Sequence, residues 1–151
     1  MTSLPFLAFA ASNMALGSSE EELKIKIDQA CTAGDEFYKL YYENYDKKRH
    51  MLSKLYMNNA KLVWNGNFVE GITDILEFLE KLPSTETSVD TFDCQPLLDT
   101  FSQGQTTIAV TIFGSVKYHK QKARAFHQHF ILTSQDNFCR IVSDDYRFLD
   151  C

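Results

Sequence analysis

Apolar positions recur every three or four residues from Glu20 to Tyr45: Leu23, Ile27, Cys31, Gly34, Tyr38, Tyr41 and Tyr45, with Phe37 beside them. This spacing predicts one long amphipathic helix that buries those residues. Ser19 stands where an N-cap would, and Glu20, Glu21 and Glu22 put acids in the first turn, where the helix dipole favours them. Asp46-Lys47-Lys48-Arg49-His50 breaks the pattern and reads as a solvated basic corner. A short helix with Leu52, Leu55 and Tyr56 on one face follows. Ala60–Trp64 and Asn67–Val69 flank Asn65-Gly66, the strongest short signal for a tight hairpin turn. After Gly71, Ile72, Ile75, Leu76, Leu79 and Leu82 predict an amphipathic helix that Pro83 stops.

Beyond Pro83 the pattern changes to alternation. Ser88–Gln95, Thr106–Lys117, Ala123–Thr133 and Cys139–Leu149 are rich in β-branched and aromatic residues and are separated by polar turns. Helices first and consecutive strands after imply an α+β fold, an antiparallel sheet with helices packed on one side. Parity then assigns faces. Phe92 and Cys94, then Ile108, Val110 and Ile112, then Phe126, Phe130 and Leu132, then Val142, Tyr146 and Phe148 should point inward. The outer face should carry Asp93, Ala109, Thr111, Phe113, His127, His129, Ile131, Asp145 and Arg147. On this reading the ionisable groups collect outside and not in the interior.

Composition narrows the function classes. A chain of 151 residues with 44% hydrophobic and 23% charged positions fits one globular domain and not a disordered or coiled-coil chain. A net charge of −5 argues against direct nucleic-acid binding, and no apolar run approaches the ~20 residues of a membrane span. Cys31, Cys94, Cys139 and Cys151 contain no C-x-x-C pair and read as the reduced cysteines of a nuclear or cytosolic protein. Cys31, on the helical stripe, reads as a small apolar filler. The N-terminus is apolar but lacks the basic start of a signal peptide. Residues 1–19 are expected to form a disordered extension, and 20–151 a single domain.

Certain stretches carry more than periodicity. Leu55-Tyr56-Met57, Leu62-Val63-Trp64-Asn65-Gly66-Asn67, Asp93-Cys94-Gln95-Pro96, Gln105-Thr106-Thr107, Gly114-Ser115-Val116-Lys117, Phe130-Ile131-Leu132-Thr133, Ser143-Asp144 and Arg147-Phe148 occur in that order. Together they resemble the nuclear transport factor 2-like family, in its NTF2-related export protein branch. The resemblance runs from about residue 23 to 150. It implies a cone: a bent antiparallel sheet wrapped around a long N-terminal helix, with two shorter helices. It further implies dimerisation through the open sheet face, a large nuclear mRNA export receptor as partner, nucleoporin Phe-Gly repeats engaged through that partner, and shuttling between nucleus and cytoplasm at the nuclear envelope. Asp93 matches the family acid that pairs with a receptor arginine.

The same fold hosts Ran-GDP carriers and small-molecule isomerases and dehydratases, so particular positions must decide. Ran carriers of the family place an acid directly after the hairpin Trp and acids in the loop after the Gly-x-x-Lys strand. Here Asn65 follows Trp64, and the loop carries Lys120, Lys122 and Arg124, the wrong charge for basic residues of Ran. An enzyme would need Tyr42, Asp93, His127 and His129 to line the cone, but parity puts three of the four outside. His127-x-His129 shares a face without a third ligand, so no metal is expected, and no cofactor either. The outer face mixes apolar, acidic and basic side chains. A different, charge-complementary partner suits it better than a second copy, whose acids would meet their own kind near a two-fold axis.

Overall fold

The computed structural model describes residues 20–97, 107–135 and 138–149. The expectation for residues 1–19 falls outside that range. Helix α1 (Glu20–Lys47) opens with three acids and closes with Lys47. A 3₁₀ turn (Arg49–Lys54) stands where a short helix is expected and buries Leu52. Strands β1 (Tyr56–Trp64) and β2 (Asn67–Glu70) form the expected hairpin, with Trp64 opposite Asn67. Asn65 and Gly66 have φ of 48° and 86°, the left-handed pair that a two-residue turn requires. Asn65 also ties the turn to β6. Its Oδ1 accepts the Phe148 amide at 2.8 Å, while its own amide donates to the Tyr146 carbonyl.

Helix α2 (Ile72–Glu80) follows, then β3 (Thr85–Pro96), β4 (Thr107–Tyr118), β5 (Arg124–Gln135) and β6 (Phe138–Phe148). The six strands form one bent sheet in the order β2-β1-β6-β5-β4-β3. The pairs are antiparallel except β1 with β6, which run parallel, so the sheet is mixed and not purely antiparallel. The reason lies in connectivity. The β1–β2 hairpin joins the sheet through β1, and β6 re-enters beside it after the meander β3–β6.

The inner face of the sheet and α1 share one aromatic core. Phe37 meets Phe130 edge-on at 5.0 Å between ring centroids, Tyr41 meets Phe130 at 4.9 Å, and Tyr146 stacks on Phe126 at 5.0 Å. Offset and edge contacts of this kind stabilise by about 0.5–1.5 kcal/mol beyond area burial. The helical stripe differs from the sequence expectation in its first half. The buried residues of α1 are Ala30, Ala33, Gly34, Phe37, Tyr41, Tyr42 and Tyr45, whereas Leu23, Ile27 and Cys31 are exposed. Small alanines carry the real stripe there, one position out of phase with the conspicuous Cys31. The basic corner also divides. Lys47, Lys48 and His50 are exposed, but Arg49 is half-buried and bonded on every side of its guanidinium.

Candidate functional site

Parity along β3, β4 and β5 holds as expected, and register brings the outer residues together. Asp93 lies opposite Thr111, Thr111 opposite His129, and His129 opposite Asp145, one continuous cross-strand row. Above it runs Phe113–His127–Arg147 and below it Ala109–Ile131–Ser143. Strands lie about 4.8 Å apart, so the row from Asp93 to Asp145 spans roughly 14 Å. All nine residues expected on the outer face are at least partly exposed, and no helix of the described residues covers them.

Their local chemistry is specific. His127 stacks on Phe113 with centroids 4.8 Å apart and planes at 25°. The Thr111 Oγ1 and His129 Nδ1 are 3.0 Å apart. Partial burial lowers the pKa of His129, the neighbouring His127 lowers it further, and Asp145 opposes both. His129 is therefore a neutral ring at pH 7, able to accept or donate a hydrogen bond without presenting charge. Asp93 and Asp145 stand exposed at the two ends of the row and Arg147 beside it, with Phe113 43% exposed between them. Neutral side chains of β4 and β5, both apolar and polar, thus lie between charges on β3 and β6.

The interior corrects one expectation. Val142 is only half-buried, because a register irregularity between Ile131 and Leu132 shifts β6 and buries Ile141 in its place. Asp144 also points inward and is 1% exposed, so not every ionisable group lies outside. Its Oδ2 accepts the Tyr56 hydroxyl at 2.6 Å and its Oδ1 accepts Gln128 Nε2 at 2.8 Å. Tyr42 donates to Gln128 Oε1, and the Tyr41 and Tyr56 hydroxyls are 2.8 Å apart. Burial pushes the Asp144 carboxyl up to about 6, against the pull of the Gln128, Tyr56 and Tyr41 bonds. Burial likewise raises the Tyr41, Tyr42 and Tyr56 hydroxyls well above the phenol range. The carboxylate is thus enclosed by its own donors, and Tyr42, a candidate catalytic residue, is one member of that closed set. Asp93, His127 and His129 lie on the other side of the sheet. Alternation with Tyr146 is the one sequence signal for Asp144; its long-range partners leave no trace in the pattern.

A domain model described as the nuclear transport factor 2 (NTF2) domain matches residues 33–148. The chain belongs to the nuclear transport factor 2 family. Among curated proteins, NTF2-related export protein 1 of Bos taurus is 46% identical over 133 residues, covering 85% of this chain and 95% of that one. The structure of nuclear transport factor 2 from Cryptosporidium parvum superposes with a TM-score of 0.70 at 24% identity, covering 82% of this chain and 94% of that one. A chain of the C. albicans Mtr2-Mex67 M domain complex gives a TM-score of 0.64 at 13% identity, with 79% and 94% covered. Both structural likenesses show the family fold: a long helix held in a bent sheet.

Proposed function

We propose that this chain is the small, non-catalytic subunit of a nuclear mRNA export heterodimer. It binds the related domain of a large export receptor through its outer sheet face. In that role it supports the receptor's engagement of nucleoporin Phe-Gly repeats while the pair shuttles between nucleus and cytoplasm. The observation that carries this reading is the row Asp93–Thr111–His129–Asp145 with its apolar flanks, left uncovered by the chain's own described helices. The similarity to an export protein supports it, as does the fold shared with a chain of the Mtr2-Mex67 M domain complex.

Asp93 is the charge at the β3 end of the face, and a receptor arginine is its proposed partner. Reversing it to Arg would bring two cations together. Breaking a buried charged pair costs about 2–5 kcal/mol, and reversal costs more. Titrating the receptor's related domain into Asp93→Arg should therefore show at least a roughly thirtyfold loss of affinity. Glu77→Arg, on the exposed side of α2, should bind as wild type does. A folded Asp93→Arg that binds as tightly as wild type would sink the proposed face. Ran-GDP titrated in parallel at low salt should give no measurable binding. Asn65 is committed to the β1–β2 turn and the Phe148 amide, and Lys120 and Lys122 are exposed cations. A micromolar Ran-GDP affinity would favour the carrier reading instead.

A further inference from the structure

Away from the outer face, α1 crosses the inner side of β3 at unusually short range. The Cys94 thiol donates to the Ala30 carbonyl at 2.8 Å, and the Cys31 thiol reaches the Cys94 carbonyl at 3.8 Å. A Cβ placed on Gly34 would stand 2.8 Å from Cys94 Sγ and 3.0 Å from its Cβ. Helix and strand can meet here only because position 34 has no side chain. Two cysteines 63 positions apart in the chain are thus held together, each sulfur against backbone at or beside the other residue. The neighbouring Cys31 thiol also adds to the burial that raises the Cys94 thiol pKa. A disulfide needs closely opposed backbones, with Cα atoms within about 7 Å, and the short sulfur–backbone contacts across this crossing show helix and strand meeting closely at both cysteines.

Their exposure differs in a way that orders a reaction. Cys31 is open to solvent, whereas Cys94 and Cys139 are buried. We propose that Cys31 and Cys94 form a reversible redox pair, a modification site for hydrogen peroxide that closes a disulfide between α1 and β3. Peroxide meets Cys31 first: its thiolate attacks one peroxide oxygen, the O–O bond breaks, and Cys31 becomes a sulfenic acid with hydroxide leaving. The Cys94 thiol then attacks the sulfenic sulfur. Its proton and the departing hydroxide make water, and the S–S bond forms. In sum, two thiols lose two hydrogens to one peroxide, which leaves as two waters. Burial holds the Cys94 thiol up at about 12, so the second step is the slower one and the Cys31 sulfenic acid is its transient precursor. A reducing thiol reverses the bridge by exchange at the exposed Cys31 sulfur.

The test treats the intact chain with hydrogen peroxide under native conditions, blocks free thiols by alkylation, and maps peptides without reduction. The expected result is a Cys31 peptide joined to a Cys94 peptide, two hydrogens lighter than the sum of the free pair, and restored by dithiothreitol. Cys31→Ser and Cys94→Ala should each lose the bridge, and Cys139→Ala should keep it. Circular dichroism of each variant controls for folding. The oxidised wild type should also melt several degrees higher than the reduced form, because the bridge closes a long loop of the unfolded chain. The proposal is overturned if Cys31 proceeds to sulfinic acid with no bridge. It is equally overturned if the bridge forms only in denaturant, or joins Cys31 to a cysteine other than Cys94.

Discussion

At the scale of single residues, Asp144 shows how a charge can be held inside this fold and at what cost. Two donors satisfy its oxygens closely, yet burial still raises its pKa from the ordinary 3.8 to about 6. A raised acid favours folding fully below its unfolded pKa, and that contribution is lost as pH rises through the folded value. At ~1.4 kcal/mol per tenfold change in proton affinity, the whole shift is worth about 3 kcal/mol, of which about 2 kcal/mol is lost between pH 4 and pH 7. Asp144→Asn keeps the shape and removes the titration. Urea unfolding of both proteins across that range should show wild type losing about 2 kcal/mol relative to the variant. A difference that stays constant with pH would mean that Asp144 is not a buried, titrating carboxyl. Asp144 also marks where the sequence stops being legible. An isolated acid reads as exposed unless its partners are visible, and Tyr41, Tyr56 and Gln128 lie 103, 88 and 16 positions away.

Among elements, Arg49 ties three chain segments at one corner. Its Nε donates to the Tyr45 carbonyl of α1, its Nη1 to the Leu79 and Leu82 carbonyls at the end of α2, and its Nη2 to Pro83 O and Thr85 Oγ1 at the start of β3. Asp46 completes the corner by accepting the Thr85 and Thr87 hydroxyls and the Thr87 amide. Arg49→Lys keeps the charge but loses the planar fork, which leaves most of these carbonyls without a charged donor. Thermal unfolding should show a loss of about 1–3 kcal/mol for Arg49→Lys, against less than ~0.5 for Lys48→Ala on the exposed side of the same run. Equal effects would contradict the bracing role. At this scale the strands are the most legible part. Alternation from Ile108 to Val116 and from Phe126 to Leu132 fixes each face, whereas the irregularity beside Val142 breaks the period where no residue type announces it. The first half of α1 misleads for a different reason: Leu23 and Ile27 have helical spacing but are exposed, and alanines carry the burial that begins at Ala30.

For the whole molecule, the outer face sets how the chain behaves alone. Ala109, Phe113 and Ile131 stay wet in the single chain, beside side chains that gain little from a like surface. A partner that binds only the folded chain stabilises it by about 2.7 kcal/mol when its free concentration is roughly a hundred times Kd. Differential scanning calorimetry with rising receptor domain should therefore show a Tm that climbs with concentration. A Tm indifferent to saturating receptor domain would remove the outer face as its binding surface. The sequence resemblance reaches this level because many short motifs keep their order along the chain, while the mixed character of the sheet lies hidden in a pairing between distant strands.

That pairing of β1 with β6 has a consequence for how the protein is made. β6 leaves the ribosome after the other five strands of the sheet yet must slot between β1 and β5, so the β1–β2 hairpin and the β3–β5 meander wait as two separate pieces with open edges. Synthesis at about 5–20 residues per second leaves those edges unsatisfied for seconds. The sheet closes only after translation has passed Phe148, and a nascent chain halted before β6 leaves β1 and β5 with unpaired edges open to other chains.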